Sequence, residues 1–114
     1  MISLGFATIE NICYVFGNPG SEFSTAFIRM FTAIPLHAVC GVIMGYYVGM
    51  AKFDLENKKS LLIKGIVYAI IIHGLYDYFI LAGYPFIFSI IVICLGFIYS
   101  KKAIYHHQKN SPFK

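Results

Sequence analysis

The stretch Pro35–Gly49, PLHAVCGVIMGYYVG, constrains this chain more than any other, because it lies in an apolar run long enough to cross a bilayer and carries a histidine, His37, inside it. Gly41, Gly45 and Gly49 follow at steps of four and so line one side of a helix, where missing side chains let a neighbouring backbone come close. That spacing predicts a close-packing seam beside a titratable group. Pro35 lacks a backbone donor and leaves the Phe31 carbonyl without its usual partner, which predicts a kink next to His37.

Of 114 residues, 59% are hydrophobic and 12% charged, and the mean hydropathy is +0.73. Too few polar side chains remain to cover a soluble globule. The expected fold class is therefore all-α, a polytopic transmembrane helical bundle, with the lipid bilayer as its first partner. Cys13, Cys40 and Cys94 fall in apolar runs far apart, which excludes a disulfide framework or a CxxC metal site and leaves them as packing residues. The net charge of +4 does not point to nucleic acid, because the lysines flank apolar runs instead of forming a face with interleaved aromatics.

Four spans are expected, at Met1–Gly17, Met30–Met50, Leu61–Leu81 and Pro85–Ser100. They form a single transmembrane domain over residues 1–105, the last span reaching Tyr105 if its lysines snorkel, followed by a tail over 106–114. Asn18-Pro19-Gly20-Ser21 reads as a turn leading into a short polar connection, and Gly83-Tyr84-Pro85 as a tighter hairpin. Lys52, Lys58, Lys59 and Lys64 border one loop, while Lys101, Lys102, Lys109 and Lys114 mark the tail. By the positive-inside rule both regions face the cytoplasm, so the expectation is a multi-pass cell-membrane protein with both termini inside. Tyr46, Tyr47, Tyr84, Tyr99 and Tyr105 suit interfacial belts. Met1 is not followed by a charged leader and small-residue cleavage site, so the first span is expected to stay in the protein.

Counted from the outer span ends at 1.5 Å per residue, Glu10 and His37 lie about 10 Å deep, His73 about 12 Å and Asp77 about 6 Å. Three spans thus bring ionisable groups to one level. Each costs on the order of 2.5–3.5 kcal/mol in hydrocarbon unless it faces a partner, the bundle interior or water. His73 and Asp77, four apart in HGLYD, share a helix face, so the carboxylate can take the ring N–H and fix the tautomer. Glu10 and Tyr14 share a face in the same way. Adjacent Glu10 and Asn11 cannot point the same way, which sends Asn11 towards a neighbouring helix. A buried glutamate has the raised proton affinity that a general base needs near neutral pH. Singly, a membrane histidine or asparagine is interhelical glue worth about 0.6 kcal/mol. As a set at one depth, Glu10, His37, His73 and Asp77 point to a functional site.

GFATIENICY at Gly5–Tyr14, the Arg29–Gly49 stretch and HGLYDY at His73–Tyr78 resemble the PrsW family of intramembrane proteases, allied to the CAAX-protease and bacteriocin-processing superfamily. The resemblance covers most of Gly5–Phe79 and rests on three ordered motifs at helical spacing. It implies an intramembrane peptidase that clips membrane-anchored regulators such as anti-sigma factors. It also implies catalytic roles for Glu10 and Asn11 of the FxxxEN motif, for His37, and for His73 with Asp77 beside it. Family members carry a paired-glutamate motif on an upstream helix, and Met1–Leu4 cannot supply it. The chain is accordingly expected to be the C-terminal part of such a protease, with an upstream or partner helix carrying the glutamate pair.

Two mechanisms fit these side chains. In one, a carboxylate activates water while His37 and His73 polarise the scissile carbonyl, without metal. In the other, His37, His73 and a carboxylate bind Zn²⁺ and lower the pKa of its water. With no HExxH pair to mark a metal site, the sequence leans slightly towards the metal-free version. Other classes remain open: a proton- or ion-handling relay through the same four residues, or a non-catalytic scaffold built on the glycine row.

Overall fold

The computed structural model describes residues 2–17 and 19–109, all but a few of them in five helices: α1 (Ile2–Phe16), α2 (Glu22–Phe31), α3 (Ala33–Phe53), α4 (Lys58–Leu81) and α5 (Ile87–Lys109). Met1 of the expected first span, Asn18 of the expected turn and residues 110–114 of the expected tail lie outside the described residues. α4, α5 and the stretch Glu22–Phe53 formed by α2 and α3 are long and apolar enough to cross a membrane. α1, at 15 residues, is only about 22 Å long and falls short of a hydrocarbon core of about 30 Å.

The segment read from sequence as a short polar connection is instead the helix α2. Phe23, Phe27 and Phe31 recur every four residues along it and are exposed, the first two rings stacked at 6.5 Å and the last two edge to face at 5.2 Å, while Arg29 turns inward. Glu22 in its first turn and Arg29 in its last both suit the helix dipole. The break expected beside His37 lies earlier, at Thr32 (φ −121°, ψ −61°). Pro35 can then sit in the first turn of α3, where its missing N–H leaves no gap in the ladder. Thr32 closes the corner by donating its hydroxyl to the Ile28 carbonyl at 3.0 Å or sharing it with Tyr76 Oη at 2.8 Å.

α3 packs against each of the other four helices. Leu36, Val39, Ile43 and Tyr47 recur every three or four residues along it and are buried against Leu61 and Tyr76 of α4 and Ile93 of α5. Tyr47, expected in an interfacial belt, is a core residue, stacked on Tyr68 and hydrogen-bonded to Tyr99 at 2.9 Å. Close approach also occurs outside the expected glycine row. A Cβ on Gly65 would meet Tyr47 Cβ at 2.9 Å, and one on Gly96 would meet Val39 Cγ1 at 2.7 Å. Within the row, Gly49 is covered by the His107 ring, but Gly45 faces open space. Of the cysteines, all free, Cys40 is buried, whereas Cys13 and Cys94 are exposed and do not pack the core.

α4 ends in a Schellman arrangement, with Tyr84 N–H donating to the Phe79 carbonyl and Gly83 N–H to that of Ile80. Gly83 takes the positive φ (+70°) this requires. The hairpin reverses the chain so that α5 runs alongside α3, its last turns against the last turns of α3 through a Tyr46–His106 hydrogen bond of 3.0 Å. One end of the bundle therefore gathers Lys52, Lys58, Lys59, Lys64, Lys101, Lys102 and Lys109, and among the described residues the hairpin end has no lysine.

Candidate active site

Near the hairpin end, the middle of α1, the start of α3 and the last third of α4 meet at Glu10, His37 and His73. Glu10 Oε2 lies 3.0 Å from His37 Nε2, and Glu10 Oε1 lies 3.6 Å from His73 Nε2. The two imidazoles meet edge to face with centroids 4.8 Å apart, and Phe6, one turn before Glu10, lies against both at 5.6 and 6.4 Å. Phe6 needs no polar motif to be useful here: a ring over two histidines keeps water and lipid headgroups off them.

Asp77 stands one turn beyond His73, its Oδ2 2.9 Å from His73 Nδ1. A carboxylate oxygen accepts, so His73 donates its Nδ1 proton to Asp77 and the ring is held with Nε2 turned towards Glu10. That atom is buried and has no hydrogen-bond partner. Nε2 and a carboxylate oxygen thus face each other at 3.6 Å, a gap that a proton on the ring or a bound cation would bridge.

The residue that sequence reasoning missed is Arg29, which entered there only as the first residue of the Arg29–Gly49 stretch. It is 6% exposed, its Nη2 lies 2.7 Å from Glu10 Oε2, its Nε donates to Asn11 Oδ1 at 2.6 Å, and its guanidinium lies 3.9 Å over the Tyr14 ring. Asn11 does turn to a neighbouring helix, although the same arginine also holds Glu10. A signal was present: an arginine flanked by aromatic residues near an apolar run is costly unless a carboxylate receives it.

Beside the histidines a cavity of about 490 Å³ follows the α3–α4 groove, lined by Phe6, Cys40, Met44, Ala69, Ile70 and Gly74 as well as His37 and His73. Apart from the two imidazoles its walls are apolar side chains, a thiol and a glycine. A second cavity of about 400 Å³ lies on the Arg29 side, with Tyr14 and Tyr76 in its wall.

The family model of the PrsW family intramembrane metalloproteases matches residues 1–100. This chain belongs to the PrsW family. Among its relatives are proteins named Protease PrsW from Oceanobacillus iheyensis, 45% identical over 83 residues, and from Bacillus subtilis, 42% identical over 82. A more distant one, from Clostridioides difficile, is 27% identical over 95 residues. These matches cover 73%, 71% and 81% of this chain but 37%, 36% and 40% of the relatives, so the chain spans well under half the length of the PrsW proteins it matches. No solved structure matches it.

The family's description as metalloproteases can be tested on this chain's own side chains. Glu10, His37 and His73 offer three ligand atoms within 4.8 Å of one another, and one of them is the orphaned Nε2 of His73. Two imidazoles and a carboxylate are the ligand types of catalytic zinc sites, in which three protein ligands leave a position for water. The donor set fits the ion.

Proposed function

We propose that this chain contributes the metal-binding centre of a PrsW-type intramembrane peptidase, with Glu10, His37 and His73 as ligands of Zn²⁺ and a membrane-anchored regulatory protein, such as an anti-sigma factor, as substrate. The observation that carries the reading is the buried, unpartnered Nε2 of His73 facing the Glu10 carboxylate. The family's description as metalloproteases supports the metal-dependent mechanism over the metal-free one towards which the sequence leans.

Bound there, zinc would supply a water acidic enough to ionise near neutral pH and a Lewis acid for the scissile carbonyl. The chain's own residues do the remaining work. Asp77 fixes the His73 tautomer and ring direction through the 2.9 Å contact at Nδ1. Arg29 and Asn11 hold the α1 segment so that the Glu10 carboxylate stays aimed at the histidines. Phe6 and the apolar walls of the neighbouring cavity keep bulk water away and receive the apolar side chains that flank a bond in a membrane-embedded segment.

The test is zinc content and cleavage measured together. The purified protein is expected to hold one zinc per chain, lost in His37→Ala and in His73→Ala while helical content is kept, and cleavage of a membrane-anchored reporter should fall with the metal. Undiminished zinc affinity in both variants would refute the assignment.

A further inference from the structure

At the basic end, far from the histidines, α3 and α5 leave a slot of about 220 Å³ between Val42, Gly45 and Tyr46 on one side and Ile104, His107 and Gln108 on the other. Its walls change character along the bundle axis. Val42 and Ile104 make an apolar inner part; Gly45, with nothing within 4 Å of where a Cβ would stand, keeps it open; Tyr46, His107 and Gln108 make a polar mouth. The mouth is held in shape by the Tyr46–His106 hydrogen bond of 3.0 Å and by the His107 ring lying on Gly49.

His107 stands twenty residues after Ile87, about 30 Å along α5, so if the hairpin end marks one edge of the hydrocarbon the mouth lies at the other. Seven lysines, at 52, 58, 59, 64, 101, 102 and 109, sit on this end against two acids, Asp54 and Glu56. The Asp54 carboxylate is already engaged, accepting from the backbone and side chain of Asn57.

We propose that this slot is a binding site for an anionic phospholipid, with one acyl chain along Val42, Gly45 and Ile104 and the phosphate at His107 and Gln108 under the lysine field. A zwitterionic lipid has the same tail but gains little from that field, and a soluble phosphate ester has the charge but no tail to fill the apolar part. The site is independent of the metal centre and of any peptidase activity.

Native mass spectrometry of the protein released from detergent tests this. With phosphatidylglycerol and phosphatidylcholine at equal concentration, phosphatidylglycerol is expected to be retained at least about tenfold better. Gly45→Leu, whose side chain enters open space and fills the slot, should bring that ratio close to one. His107→Leu, which keeps an apolar contact on Gly49 but removes a polar group from the mouth, should lower it severalfold and provides a second reading if Gly45→Leu purifies poorly. Millimolar glycerol 3-phosphate should leave the bound lipid in place. Equal retention of the two lipids, an unchanged ratio in both variants, or displacement by glycerol 3-phosphate would each overturn the proposal.

Discussion

The Arg29 guanidinium lies 2.7 Å from the Glu10 carboxylate, joining a short helix with a row of exposed phenylalanines to the centre of the two-histidine cluster. Both side chains are largely out of water, and Arg29 is further fixed by Asn11 and the Tyr14 ring. The cluster is therefore assembled from four helices, α2 supplying Arg29 to the groups on α1, α3 and α4.

Breaking this ion pair takes from a largely buried carboxylate its arginine, and removing one partner of a buried pair costs about 3–5 kcal/mol. Arg29→Gln is expected to lower stability by that order, read as the midpoint of unfolding in a denaturing detergent titration. Arg29→Gln combined with Glu10→Gln should be less harmful than Arg29→Gln alone, since no uncompensated carboxylate remains. Additive losses in the double variant would show that the pair is not coupled.

Asp77 meets the proposed metal ligand His73 at Nδ1, and loss of such an outer partner lowers metal affinity about 10–100-fold. Asp77→Ala is expected to weaken zinc binding by this amount in a chelator competition. Asp77→Asn should fall in between, because its amide oxygen still accepts the ring N–H. An Asp77→Ala protein with undisturbed affinity would remove Asp77 from the site.

Glycines with close neighbours and glycines facing open space should respond oppositely to alanine. A Cβ at Gly65 or Gly96 meets Tyr47 or Val39 below 3.0 Å, so Gly65→Ala and Gly96→Ala are each expected to cost about 1–3 kcal/mol in overpacking. Gly45→Ala should be neutral or slightly stabilising through helix propensity. The same unfolding titration ranks the three, and a destabilised Gly45→Ala would contradict the open slot between α3 and α5.

Orientation follows from the lysine-bearing end, expected on the cytoplasmic side. With Cys13, Cys40 and Cys94 replaced, a cysteine introduced at the exposed Glu56 should resist an impermeant thiol reagent on intact cells and react after permeabilisation. Efficient labelling from outside would reverse the topology.

The sequence by itself determined the membrane class, the approximate positions of the long helices and the common level along the bundle at which Glu10, His37 and His73 lie. These depend on composition and on a fixed rise per residue, both local properties of a chain whose backbone must satisfy its own hydrogen bonds in lipid. It also determined the His73–Asp77 pairing, since residues four apart on a helix are neighbours whatever surrounds them. Only the tertiary structure decided which glycines approach other helices, that Tyr47 belongs to the core, and that Thr32, not the neighbourhood of His37, is where the chain bends. It alone brought Arg29 to Glu10 across nineteen positions of sequence, together with the Tyr76–Thr32 bond across forty-four. Such contacts depend on how helices are rotated about their axes and how close they come. That is settled by packing many side chains at once, and no single segment's periodicity contains it.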